Sequence, residues 1–212
     1  VKGPASFVAS VGPVAPEEVR EIPGLEATIS YWTGGEADAA GWLRETERVW
    51  GQAAFAMWRG DKVHGFVLYG PAGCLPRAGS FPVGPLAGDE VLMAYVGGDR
   101  RTRRHLMVRM LKDLRGRGVC RVEAIAADFG TAYHVPTRVL VESGWRPLRR
   151  FVYRGRPYTH ARIDLGSAVE VGELARGIIG KVRLPGLNYP APVPGVLSVR
   201  EPARMGAVGS RS

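Results

Sequence analysis

Residues 91–126, VLMAYVGGDRRTRRHLMVRMLKDLRGRGVCRVEAIA, carry the pattern from which the fold is read. Val91 to Val96 is a short apolar run rich in strand formers, bounded by Gly97 and Gly98. From Arg101 to Arg115, Leu106, Met110, Leu111 and Leu114 recur at steps of three and four, which is one face of a helix. Gly116 and Gly118 stop it, and Val119 to Ala126 resumes as a strand. Strand, helix and strand in such close succession predict a right-handed parallel crossover.

Upstream, Ala53–Trp58 and Val63–Tyr69 flank a Gly60-Asp61 turn and read as a hairpin. Residues 70–89, GPAGCLPRAGSFPVGPLAGD, are too rich in Gly and Pro for regular structure. Gly35 to Val49 reads as a helix, with Ala39, Trp42, Leu43, Thr46 and Val49 on one face and Glu36 and Asp38 favouring its start. Residues 1–24 hold Pro4, Pro13, Pro16 and Pro23 and are expected to form an irregular arm with one short strand near Phe7–Ser10. Downstream, Thr137–Ser143 reads as a short helix between Pro136 and Gly144. Strands are expected at Pro147–Tyr153 and Tyr158–Leu165, around Arg154-Gly155-Arg156-Pro157. The expected organisation is an arm (1–24), a domain (25–166), a short helix (167–180) and a Pro/Gly-rich tail (181–212), with no internal repeat.

The chain has 212 residues, 45% of them hydrophobic, enough for one sizeable core. Its formal charge is +9, carried almost entirely by arginine: Lys2, Lys62, Lys112 and Lys181 are the only lysines. Such a balance suits a polyanionic partner, and equally follows from G+C-rich coding. Cys74 and Cys120 lack the spacing of a metal site or a disulfide scaffold, so no metal is expected. No run is long and apolar enough to span a bilayer and no signal pattern opens the sequence, so a cytoplasmic protein with no membrane association is expected.

The order helix, strand, strand, strand, helix, strand, helix, strand, strand over residues 35–165 resembles the GNAT acetyltransferase superfamily, across about two thirds of the chain. Local matches are VLMAYV at 91–96, LKDLRGRGVCRVEAIA at 111–126, the Gly65-to-Tyr69 end of the hairpin, and VLVESGWRPLRRFV at 139–152 with its Gly144-Trp145 pair. The resemblance implies an α/β fold (an α+β mixed sheet): a central, mostly antiparallel sheet with one parallel strand–helix–strand crossover. It further implies acetyl-CoA as cofactor, with backbone groups of Met93, Ala94 and Tyr95 pairing with the pantetheine arm. The implied activity is transfer of an acetyl group to an unidentified amine, on a small molecule or a protein.

The sequence departs from that family where backbone N–H groups and glycines normally wrap the pyrophosphate at a helix start. Here the segment is GGDRRTRRHLM (97–107), and no register places glycines at both motif positions. Either Arg100, Arg101, Arg103 and Arg104, beside Thr102 and His105, hold the phosphates by side-chain charge, or their bulk fills the site and the fold has lost its cofactor. Four cations at a helix start oppose its dipole, which points to an anion nearby.

Acyl transfer to an amine needs a base, and often an acid for the leaving thiolate. The tyrosine that family members frequently use for the acid is here Leu140. Tyr133 and His134, in the loop between strand and helix, are the nearest substitutes, with Tyr133 the catalytic candidate. Glu123 and Asp128 are candidate bases, and His64 reads as structural. A second reading is a catalytically silent protein of this fold that binds a protein partner through its Pro-rich tail or basic faces. A third is nucleic-acid binding. Eight Arg or Lys against two Asp lie between residues 97 and 117, and Arg146, Arg149, Arg150, Arg154, Arg156 and Arg162 run from Trp145 to Ile163 without an acid, interleaved with Phe151, Tyr153 and Tyr158. The tail and last strand are places where a dimer contact could form.

Overall fold

The structure is a computed structural model, and it describes residues 9–35, 38–83, 86 and 90–166. Its seven strands are β1 (Ala9–Pro13), β2 (Ala54–Arg59), β3 (Lys62–Pro71), β4 (Val91–Val96), β5 (Arg121–Ala127), β6 (Arg146–Tyr153) and β7 (Arg156–Asp164). The helices are α1 (Leu25–Thr33), α2 (Ala39–Val49), α3 (Arg100–Gly116) and α4 (Thr137–Glu142). The strands form one sheet in the order β1-β2-β3-β4-β5-β7-β6. Every neighbouring pair is antiparallel except β4 and β5, which are parallel across the α3 crossover. The mixed sheet and its crossover are as the sequence predicts.

The sheet is covered on both faces, which is why its central strands read as near-continuous apolar runs and not as alternating ones. Phe55, Val67, Met93, Val122 and Ala124 pack with Leu106, Met110, Leu111 and Leu114 of α3, and with Leu140 and Trp145. On the other face Ala54, Phe66, Leu68, Leu92, Ala94 and Ile125 pack with Leu25, Ile29 and Trp32 of α1 and Leu43 of α2.

Four local readings are corrected. The described part of the arm is regular: β1 spans Ala9–Pro13, beyond the expected end at Ser10, and pairs with β2, and Val14, Val19 and Ile22 are buried, while Phe7 and Val8 lie outside the described residues. Its prolines fit because Pro13 ends an edge strand and Pro16 opens a 3-10 turn, where no N–H is needed. Helix α1 was not expected at all, although Leu25, Ile29 and Trp32 sit at steps of four and three and are fully buried. It starts at Gly24 with φ 82°, without the Ser, Thr, Asp or Asn that usually announces a helix. The helix expected from Gly35 starts at Ala39, where the Asp38 carboxylate accepts from Gly41 N. Within 70–89, two 3-10 turns, Ala72–Cys74 and Pro76–Ser80, replace featureless loop and bury Leu75, Ala78 and Phe81. The expected helix at 167–180 and tail at 181–212 lie outside the described residues.

Candidate active site

Strands β4 and β5 pair at two positions, Val91 with Val122 and Leu92 with Glu123. Beyond them β4 continues against β3 and β5 against β7, so the two strands part. A cleft of about 390 Å³ lies at the far end of this gap. Its walls are Tyr95 to Gly98 at the end of β4, Arg103 of α3, and the loop after β5, from which Gly130, Thr131, His134 and Pro136 contribute.

The cleft floor depends on a close approach of backbone to backbone. Gly97 N donates to Phe66 O of β3 at 2.9 Å. A Cβ on Gly98, which has φ 103°, would stand 2.6 Å from Thr102 Cγ2 and 2.7 Å from His64 O. Only glycine fits there. The first turn of α3 is consequently filled by the chain itself: Thr102 is buried, and its N–H donates to Asp99 Oδ1 at 2.7 Å. That backbone hydrogen bond holds the Asp99 carboxyl below its usual pKa. A carboxylate thus sits where a bound anion would otherwise meet the helix N-terminus. Asp99→Ala should lower stability by about 1 kcal/mol, read as a shift of the denaturation midpoint, because the Thr102 N–H loses its partner.

The arginines divide. Arg103 lines the cleft; its NH1 donates to Gly98 O at 2.6 Å, while its Nε is buried without a hydrogen-bond partner. Thr131 Oγ1, in the opposite wall, is also buried and unpartnered. Such atoms are costly in a folded protein unless something satisfies them. Arg100 and Arg101 are exposed and Arg104 is half-buried; none of the three lines the cleft. His105 turns back on its own helix, with Nδ1 2.8 Å from Arg101 O.

Met93 and Ala94 are buried on opposite faces of β4, and Tyr95 is half-buried at the cleft, where burial raises its phenol pKa. Tyr133 stacks on Tyr31 of α1, with centroids 4.6 Å apart, and its carbonyl accepts from Trp32 Nε1. Glu123 is buried away from the cleft walls, with Oε2 2.6 Å from His160 Nε2. Asp128 is committed elsewhere: it accepts from Thr137 Oγ1, Thr159 Oγ1 and Arg150. Leu140, at the position of the family's usual acid, is fully buried in the core.

Sequence reasoning missed Tyr31. Its hydroxyl lies 2.9 Å from His134 Nε2, and His134 Nδ1 lies 2.8 Å from Ile125 O. A carbonyl can only accept, so Nδ1 carries the proton and Nε2 accepts from the Tyr31 hydroxyl. Burial lowers the His134 pKa from 6.5 to about 4, which keeps the ring neutral at ordinary pH. Burial raises the Tyr31 pKa. Arg77, from the turn after β3, lies over the Tyr31 ring at 4.3 Å and donates through Nε to Tyr31 O. Finding α1 through its Leu25, Ile29 and Trp32 spacing would have directed attention to Tyr31.

The basic β6–β7 hairpin is less free than its sequence suggests. Folding brings Asp128 to Arg150, and Asp164 to Arg146 and Arg162. Among the described residues no helix is long and apolar enough to cross a membrane, and no group of His, Cys, Asp and Glu could hold a metal ion.

No family model matches the sequence, and no curated protein sequence matches it. Solved structures do. The Salmonella typhimurium protein yncA, determined with its cofactor acetyl-CoA, superposes with TM-score 0.55 at 13% identity, over 76% of this chain and 96% of that one. An N-acetyltransferase from Staphylococcus aureus Mu50 gives TM-score 0.54 at 14% identity, over 74% and 99%. A ribosomal-protein-alanine N-acetyltransferase from Brucella melitensis gives 0.52 at 14%, over 73% and 99%. The chain has the fold of the GNAT acetyltransferases.

Proposed function

We propose that this chain is an N-acyltransferase that takes an acetyl group from acetyl-CoA to an amine. The observation that carries the reading is the parting of β4 and β5 into a cleft holding two buried, unpartnered polar atoms, Arg103 Nε and Thr131 Oγ1. Arg103, a cation in the cleft wall, would hold an anionic group such as a phosphate through charge-assisted hydrogen bonds. The backbone at the start of α3 does not fit one, because Asp99 already takes the Thr102 N–H. The backbone edge of Met93 to Tyr95, facing the gap, suits an extended amide-bearing arm. When bound, acetyl-CoA supplies an acyl carbonyl activated toward attack. The chain's own part is to orient that carbonyl and the incoming nitrogen, and to exclude water between the diverging strands.

Calorimetric titration with acetyl-CoA and with CoA tests this. Micromolar binding is expected, weakened about tenfold or more in Arg103→Ala, the loss of about 1.4 kcal/mol. No binding to the unaltered protein at low salt would overturn the reading. It would favour the second one, a non-catalytic binding protein of the same fold, for which the Asp99 cap speaks.

A further inference from the structure

We infer that Tyr31 and His134 form the proton-transfer couple on the acceptor side of the cleft, and that the acceptor is an uncharged aromatic amine; this rests on the acyltransferase reading. Tyr31 meets the acceptor nitrogen and His134, behind it, takes up the proton. The hydrogen-bond directions follow from chemistry. Ile125 O fixes the proton on His134 Nδ1, so Nε2 holds a lone pair and the Tyr31 hydroxyl donates into it. With its proton directed inward, the phenol oxygen keeps its own lone pairs for an N–H donor from outside. Tyr31 is half-buried, so this oxygen belongs to neither a sealed core nor a fully solvated surface. His134 lines the cleft and connects the phenol to it.

The acceptor nitrogen forms a C–N bond to the acyl carbon while the C–S bond breaks. Its proton passes to Tyr31 Oη as the Tyr31 proton moves to His134 Nε2, and one proton finally returns through Tyr31 to the departing sulfur. Atoms and charge balance, with no oxidant or further reactant.

The surroundings define the acceptor. Rings from four elements crowd the couple. Trp32 belongs to α1, Phe81 follows the second 3-10 turn, and Tyr133 stacks on Tyr31; Tyr158 lies 5.1 Å from His134, with Tyr153 4.7 Å from Phe81. The titratable groups facing the couple are Tyr133 beside it, Tyr153 and Tyr158 from the β6–β7 hairpin, Arg77 from the 3-10 turn and, in the cleft that His134 lines, Tyr95 of β4 and Arg103 of α3. Among the described residues the charge acting on both Tyr31 and His134 is thus the Arg77 cation, with no carboxylate to balance it. Trp32, Phe81 and Tyr158 are buried and back the couple, while Tyr31, Tyr133 and Tyr153 keep partly exposed rings. A polyamine would meet like charge, whereas an aromatic ring finds edge and face partners on those three.

Three measurements test this. The histidine ¹⁵N resonances should show His134 as the neutral Nδ1–H tautomer down to below pH 5, and Tyr31→Phe should shift its Nε2 signal. A His134 that titrates near its ordinary value or carries the proton on Nε2 overturns the couple, whatever the cofactor does. In steady-state assays with acetyl-CoA, an arylamine should be acetylated in preference to a diamine. Tyr31→Phe should then lower kcat at least 100-fold, with acetyl-CoA affinity unchanged within threefold. His134→Gln should lower kcat and remove the acid limb of the pH profile near pH 4. Calorimetry separates the failures: acetyl-CoA binding with unimpaired Tyr31→Phe turnover, or a preference for the diamine, overturns this inference alone. Absence of binding overturns the acyltransferase reading and this inference with it.

Discussion

Asp128→Ala is expected to lower stability by about 3 kcal/mol, measured by denaturant unfolding at pH 7. Asp128 closes β5, and its side chain is only 9% exposed. It accepts from Thr137 Oγ1 at 2.7 Å, at the start of α4, and from Thr159 Oγ1 at 2.8 Å on β7, while Arg150 of β6 donates to the other oxygen. One carboxylate therefore ties three elements to the end of β5. Removing it leaves the buried Thr159 hydroxyl unsatisfied. Arg150 is 77% exposed, so its share is small.

The same residue sets an acid dependence. Burial pushes the Asp128 carboxyl upward, but the hydrogen bonds from Arg150, Thr137 and Thr159 outweigh it and bring the pKa below the ordinary 3.8. A depressed folded-state pKa stabilises the fold above the unfolded value and loses that contribution as pH falls through the folded one. The unaltered protein should therefore lose stability below about pH 4 more steeply than Asp128→Ala does. Parallel curves for the two proteins would remove Asp128 from this role.

Gly65→Val should cost about 3 to 4 kcal/mol and abolish binding at the cleft. A Cβ on Gly65 would fall against Gly97 O and stand 2.9 Å from both Gly97 C and Thr102 Cγ2. Those atoms belong to the turn that ends β4 and begins α3, and its backbone cannot give way as a flexible side chain would. The Gly97 N to Phe66 O bond, one residue along β3, would be strained with it. Gly12→Ala, with nothing within 4 Å of the added carbon, should change stability by less than about 0.5 kcal/mol. An intact, ligand-competent Gly65→Val protein would show that the turn is not held by this approach.

The resemblance to acetyltransferases was legible in residues 91–126 because a strand, a long amphipathic helix and a second strand each write a local period into the sequence. Strand β4 was read to the residue, and the ends of α3 and α4 to within a residue or so, because Gly116, Pro136 and Gly144 mark them. Helix α1 was not legible by the same rules. Gly24 opens it without a side-chain cap, and its stability comes from burying Leu25, Ile29 and Trp32 against the sheet.

Composition, local period and punctuation are properties of neighbours along the chain, and they determined the strand–helix–strand crossover and the arginine-rich segment at 97–107, while the mixed sheet followed from the resemblance. Partners distant in sequence belong to tertiary structure alone. Tyr31 and His134 are 103 residues apart, and Asp128 and Thr159 are 31 apart. No spacing rule spans such gaps. The place of Arg103 in the cleft wall and the tautomer of His134 depend on what stands opposite each group once the sheet has closed, so only the folded chain decided which of the candidate residues share a site.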